Sequence, residues 1–131
     1  MRLPPGLDVI EDHEGSGKAA ERGDHVTYNV RIFLNRGDEV PLNETQAQAG
    51  LPPHFLRNEG GRVLIDHKTV LGKREAVAGI EKALVGMKSG GHRKVRVGPH
   101  LAYGKKGIPG LIPPNAVLTV EIWMREVGRS T

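Results

Sequence analysis

The chain has 131 residues, 37% of them hydrophobic and 26% charged, with a formal net charge of +4 and no cysteine. One domain with its own core is expected, and disulfides, thiol catalysis and cysteine-based zinc sites are excluded. The basic residues are spread along the chain, and one Trp, two Tyr and two Phe are too few for a base-stacking surface, so nucleic acid is not the expected ligand.

Met1 to Gly6 lack the apolar segment of a secretory signal. No stretch approaches the roughly 20 apolar residues that span a membrane, so a cytoplasmic location is expected. Leu7-Asp8-Val9-Ile10 reads as an edge strand, and Gly15-Ser16-Gly17 and Gly23-Asp24 read as loop and turn. From Val26 to Leu34, Val26, Tyr28, Val30, Ile32 and Leu34 alternate with Thr27, Asn29, Arg31 and Phe33. That period of two marks a strand with one buried face. Asn35-Arg36-Gly37-Asp38 closes it with turn chemistry.

The segment 43–66 carries Gly50, Pro52, Pro53 and Gly60-Gly61 and shows no sustained period. It reads as an irregular loop or flap. Pro52 and Pro53 are placed to open one helical turn through His54, Phe55 and Leu56, and Val63, Leu64 and Ile65 to return the chain to the sheet. A helix is predicted from about Glu75 to Leu84, where Val77, Ile80, Leu84 and Met87 recur at spacings of three and four. Lys88-Ser89-Gly90-Gly91 stops it. Lys94 to Val97 alternates again, and Val117 to Met124 makes the last strand, with Leu118, Val120, Ile122 and Met124 on one face. Together these predict an α+β domain with one short helix packed on an antiparallel sheet.

No proton-transfer or nucleophilic machinery stands out. His13, His25, His54, His67, His92 and His100 form no helical metal-ligand pair, and a meeting of His92 with His100 is weighed against two solvated imidazoles. No metal is expected. Gly15-Ser16-Gly17-Lys18 lacks the spacing and feeding strand of a phosphate loop, no serine sits in a nucleophile elbow, and no carboxylates pair as acid and base. A binding module remains, or an enzyme whose reaction breaks no bond. Prolyl isomerisation is one, since it needs only rotation about a peptide bond against a barrier of about 18–20 kcal/mol.

Several residues align in order with a known pattern. Leu71-Gly72 followed by Glu75, then Gly79 and Met87, mark a helix and its entry. Gly90, Lys94-Val95-Arg96-Val97 and Pro99 mark the next strand and its exit. Ala102-Tyr103-Gly104, Gly107-Ile108-Pro109-Gly110, Ile112-Pro113-Pro114-Asn115-Ala116 and Leu118 mark a loop and final strand. Gly15-Ser16-Gly17, Ala20, Gly23-Asp24, Val26 and Tyr28 precede them. This series resembles the FKBP-type peptidyl-prolyl cis-trans isomerases, and covers the chain 1–131 as one domain apart from a longer loop or flap at about 43–66.

The resemblance implies a twisted antiparallel β-sheet wrapped around one short α-helix, with a shallow apolar pocket between them. It implies that Tyr28, Val77, Tyr103 and Ile112 form the catalytic set. Tyr28 lines the pocket, the Val77 N–H and the Tyr103 phenol hold substrate carbonyls, and Ile112 closes a wall. Val40, His67, Ala76, Ile80 and Val120 are the implied substrate-binding residues. The implied partners are proline-containing peptides or unfolded chains, with weak macrolide binding, no cofactor and a monomeric state. Without the resemblance, core packing explains Val77, Ile80 and Val120.

The departures are specific. Val40-Pro41 stands where the family has a Phe-Asp pair, Ile80 where it has a tryptophan, and His67 and Val120 where it has aromatics. These imply a wider, less aromatic pocket and reduced isomerase activity, or peptide binding without catalysis. Two readings of 43–66 stay open, a mobile surface loop and a lid that brings Phe55 and Leu56 over the pocket. Lys105-Lys106, Lys73-Arg74 and Arg93-Lys94 are candidates for a basic rim that prefers acidic peptides, against a plain solvated surface.

Overall fold

A computed structural model of the chain describes residues 5–128. Strands β1 (Leu7–His13), β2 (His25–Leu34) and β3 (Glu39–Val40) are followed by helix α1 (Leu42–Gln48). Strands β4 (Leu56–Glu59), β5 (Arg62–Ile65) and β6 (His67–Val70) precede helix α2 (Ala78–Leu84), and strands β7 (His92–Val97) and β8 (Leu118–Gly128) complete the chain. The six-stranded sheet runs β1-β7-β8-β2-β3, with β6 also paired to β2. Every pairing in it is antiparallel. The expected α+β class is what the chain adopts.

Alternation explains the core. Tyr28, Val30 and Ile32 of β2, Val95 and Val97 of β7, and Leu118, Val120, Ile122 and Met124 of β8 point to one face and are buried. Ile80, Ala83 and Leu84 of α2 and Met87 beyond it pack into the same cluster. The helix reaches the sheet because Gly79 carries no side chain. A Cβ there would stand 2.4 Å from Val97 Cγ1 and 2.9 Å from the Leu101 carbonyl oxygen. The predicted start near Glu75 is too early, since Val77 is extended at ψ 148° and caps a helix that begins at Ala78.

Segment 43–66 is not the irregular loop expected. It holds most of α1, a 3-10 turn at Pro53–Phe55, and the hairpin β4–β5. Asn43 anchors α1 by donating from Nδ2 to the Val30 carbonyl at 2.9 Å. Gly60 and Gly61 close the hairpin in two residues, at φ 60° and 77°, a left-handed pair that glycine adopts without strain. The hairpin lies over the outer face of β2. There the fully buried Asn29 donates to the Ile65 carbonyl at 2.6 Å and to Asp66 Oδ1 at 2.7 Å. Arg57 pairs with Asp66 through two bonds, at 2.9 and 3.2 Å. Arg125 of β8 donates to Asn29 Oδ1 and to Glu59. Burial alone raises the Asp66 carboxyl, but the Arg57 and Asn29 bonds outweigh it and hold it below the usual range.

Candidate functional site

Two glycine-rich connections and four strands deliver the predicted residues to one place. Val40 faces Ile32 across β3–β2, and Val120 faces Ile32 from the other side. Tyr28 pairs in register with His67 of β6, and the two rings stack with centroids 5.3 Å apart. Ile80 rises from α2, and Ala76 and Val77 lie just before it. Tyr103 and Ile112 come from the long connection between β7 and β8. Tyr28, Val40, Ile80, Ile112 and Val120 belong to one buried cluster, against which Ala76, Val77 and Tyr103 pack half-buried. His67 joins through its stack on Tyr28.

The Tyr103 connection is held by its own backbone. Gly104 N–H bonds the Pro99 carbonyl at 2.9 Å and Gly107 N–H bonds the Tyr103 carbonyl at 3.0 Å. Ile108 and Ile112 exchange two bonds of 2.8 Å, forming a miniature hairpin. Gly107 is required there, since at φ 58° a Cβ would stand 2.2 Å from the Ile112 carbonyl oxygen. This hairpin fixes both Tyr103 and Ile112 against the cluster.

Three polar groups at the cluster have no hydrogen-bond partner among the described residues. They are the Tyr28 hydroxyl, the Tyr103 hydroxyl and the Val77 N–H. Burial pushes the Tyr28 phenol up to about 12, with Tyr103, Glu81 and Glu75 adding to the rise. Burial also raises Tyr103. Both phenols therefore stay protonated at neutral pH and act as donors. Burial lowers His67, with Asp66 opposing, so its imidazole is neutral in the same range.

The apolar residues of the site are almost fully buried. Ile80 is 6% exposed, Ile112 3% and Val120 2%. These three aliphatic side chains stand where the resemblance implies the pocket floor, wall and back. A groove of about 670 Å³ lies alongside and is lined by Arg22, Arg74, Lys82, Leu71, Ala76 and Val85 among others.

Other expectations also need correcting. The Phe55 ring lies tilted against His54, centroids 4.3 Å apart, and neither Phe55 nor Leu56 packs against the core cluster. Leu42, the first residue of α1 and just before this segment, does pack against it. Arg93 is no part of a basic rim. It is buried, bonds the Ala83 carbonyl at 2.8 Å and the Val85 carbonyl at 3.2 Å, and pairs with Asp12. His92 lies beside His13 and Trp123, whereas His100 lies against Pro5.

Sequence reasoning missed Glu75. Its carboxylate accepts from the Val70 N–H at 2.7 Å and the Thr69 hydroxyl at 3.1 Å, and those bonds lower its pKa, the backbone one most. Glu75 thereby ties the end of β6 to the stretch that presents Val77. Nothing in the spacing of Thr69 and Glu75 announces this.

Residues 60–125 match the family model for FKBP-type peptidyl-prolyl cis-trans isomerases. FK506-binding protein 1A of Neurospora crassa is 30% identical over 124 residues, a span of 92% of this chain and 89% of that protein. The chain belongs to the FKBP-type peptidyl-prolyl cis-trans isomerase family. FK506-binding protein 4 of Chaetomium thermophilum is 29% identical over 127 residues, 97% of this chain. The chain spans 22% of that longer protein's length. The crystal structure of FkpA from Escherichia coli superposes with a TM-score of 0.66 at 27% identity, over 95% of this chain and 48% of FkpA. Within this FKBP frame the Tyr103 connection and Val120 of β8 fall inside the matched span, and so do His67, Ala76, Val77 and Ile80.

Proposed function

We propose that the chain is a peptidyl-prolyl cis-trans isomerase of reduced activity that acts on Xaa-Pro bonds in peptides or unfolded protein chains and assists their folding. The observation that carries this reading is the set of unpartnered donors, the Tyr28 and Tyr103 hydroxyls and the Val77 N–H, around the buried Ile80, Ile112 and Val120. Family membership supports it.

The chemistry follows from the amide. Resonance holds the bond planar and separates charge between oxygen and nitrogen. Twisting by a quarter turn loses that resonance and its charge separation. An apolar site built on the buried Ile80, Ile112 and Val120, with Ala76, Val77 and Tyr103 half-buried against them, favours the twisted form over the planar one. The Val77 N–H and the Tyr103 hydroxyl hold carbonyls on either side, so that one part of the peptide is fixed while the other rotates. No cofactor enters this scheme. Proline isomerisation takes tens to hundreds of seconds uncatalysed, so even modest acceleration matters to a folding chain.

Reduced activity is expected because aromatic and acidic residues the family places around the site are missing, with Val40-Pro41, His67, Ile80 and Val120 in their stead. Val40-Pro41 leaves the Tyr28 hydroxyl without the acidic neighbour the family places there, and Pro41 has no N–H to offer. The same feature favours a second reading, a peptide-binding FKBP domain without catalysis. Macrolides that bind FKBP sites are expected to bind weakly here, since their aromatic contacts are missing.

A protease-independent isomerase assay across several residues preceding proline tests both readings. Tyr103→Phe removes one hydrogen bond to a carbonyl and is expected to lower kcat/KM about tenfold, the effect of roughly 1.4 kcal/mol. If the parent chain binds peptide yet shows no rate above the spontaneous one, the binding reading replaces the catalytic one.

A further inference from the structure

On the outer face of the sheet, remote from the Tyr103 connection, three potential metal ligands meet. His13 on β1 and His92 on β7 are direct register partners, as are Glu11 and Lys94. Directly opposed residues of an antiparallel pair point to the same face, and so do residues two apart on one strand. Glu11, His13 and His92 therefore project together. One ligand atom from each lies within 4.8 Å of the other two, and His13 Nε2 stands 4.0 Å from Glu11 Oε2. The two imidazoles stack with centroids 5.7 Å apart.

We propose that Glu11, His13 and His92 form a surface site for a borderline divalent transition-metal ion of the zinc, nickel and copper class. Two imidazoles and one carboxylate are the donor set that such ions prefer, whereas magnesium and calcium require mostly oxygen. Metal–ligand bonds of about 2.0–2.2 Å place tetrahedral ligand atoms roughly 3.3 Å apart. The observed spread needs closing by about 1.5 Å, which staggered rotation of exposed side chains supplies at small cost. Glu11 and His13 are exposed and free to make that adjustment.

A further contact supports the assignment. Glu121 on β8 lies 3.4 Å from His92 Nε2. A carboxylate on one ring nitrogen fixes the imidazole's orientation and leaves the other nitrogen to the metal. Lys94 sits between Glu11 and Glu121 in the register but pairs with neither among the described residues. Its charge limits the affinity of the site without blocking it. A bound ion would staple the edge strand β1 to β7. This site is independent of the isomerase reading.

Trp123 supplies a local reporter. It is the single tryptophan of the chain, and its ring centroid lies 5.1 Å from that of His92. Copper(II) or nickel(II) titrated into the full chain at neutral pH is expected to quench Trp123 fluorescence saturably, with one ion per chain and with competition by zinc. His13→Ala and Glu11→Ala, both at exposed positions, are each expected to weaken binding about tenfold or more, given that even outer contacts of metal sites are worth 10–100-fold. His25→Ala, outside the cluster, leaves the titration unchanged. Zinc should also raise the unfolding midpoint of the parent but not of His13→Ala. Quenching that fails to saturate, or that His13→Ala and Glu11→Ala both leave unaltered, overturns the proposal.

Discussion

The imidazole of His67 lies on the phenol of Tyr28, with ring centroids 5.3 Å apart and planes 26° from parallel. Burial favours the neutral imidazole and holds its pKa below 6.5. A base whose folded pKa is depressed contributes stability that is complete above its unfolded pKa and is lost as pH falls through the folded value. The melting temperature should therefore drop as pH falls below about 6.5, before carboxylates begin to titrate. His67→Phe, which keeps a ring on Tyr28 and removes the titration, should flatten the melting profile across that window. Differential scanning calorimetry of both proteins over the range checks this.

Arg93 closes the C-terminal end of α2 by donating to the Ala83 and Val85 carbonyls. Helix ends leave carbonyls unsatisfied, and here a strand residue supplies the missing donor. Arg93→Met should cost about 2 kcal/mol, from the loss of charged hydrogen bonds in a buried setting. Urea unfolding reads the cost directly. A change within experimental error would mean that water replaces the guanidinium.

Asp66 binds Arg57 and Asn29 together, and those bonds depress its pKa against the opposing effect of burial. Its contribution is present above about 3.8, its ordinary value, and is lost as pH falls through the folded value. Asp66→Ala should release the β4–β5 hairpin before the rest of the sheet. Hydrogen exchange should then accelerate at Leu64 and Ile65 while Val95 and Ile122 stay protected. Uniform acceleration across the sheet would show that hairpin and sheet unfold together.

Leu42 and Phe55 should behave oppositely. Leu42 packs against the core cluster and Phe55 does not. Leu42→Ala is expected to destabilise by about 1.5 kcal/mol, less than the about 2–5 kcal/mol of a fully buried leucine. Phe55→Ala should leave both stability and isomerase rate near parental. A marked rate loss in Phe55→Ala would revive a lid role for this segment in solution.

Legibility in the sequence followed the physics of periodicity. The alternation of Tyr28, Val30 and Ile32 and of Leu118, Val120, Ile122 and Met124 is visible because one face of each strand meets the core and the other does not. The candidate site was legible through an ordered family resemblance, since Val77, Ile80 and Val120 look like any core residue in isolation. Helix α1 was not legible. Its sequence, Leu-Asn-Glu-Thr-Gln-Ala-Gln, has no sustained apolar stripe, and it rests on the Asn43 bond to Val30 and on Leu42. The β4–β5 hairpin did carry a readable signal, the adjacent Gly60 and Gly61. The contacts of Arg93 with Asp12, and of Arg125 with Asn29, join residues far apart in the chain, and no local pattern encodes them.

Strand β2 pairs with β8 from His25↔Gly128 to Leu34↔Leu118. Strand β2, which pairs with β3, β6 and β8, thus waits for the last strand of the described chain. Val120 and the anchoring of the Tyr103 connection depend on the same late partner. On a ribosome, β2 emerges roughly 90 residues before β8, which at about 5–20 residues per second is a delay of several seconds. Throughout that interval Tyr28, Val30 and Ile32 have no β8 to cover them, and an apolar strand face stays open until the chain is almost fully made.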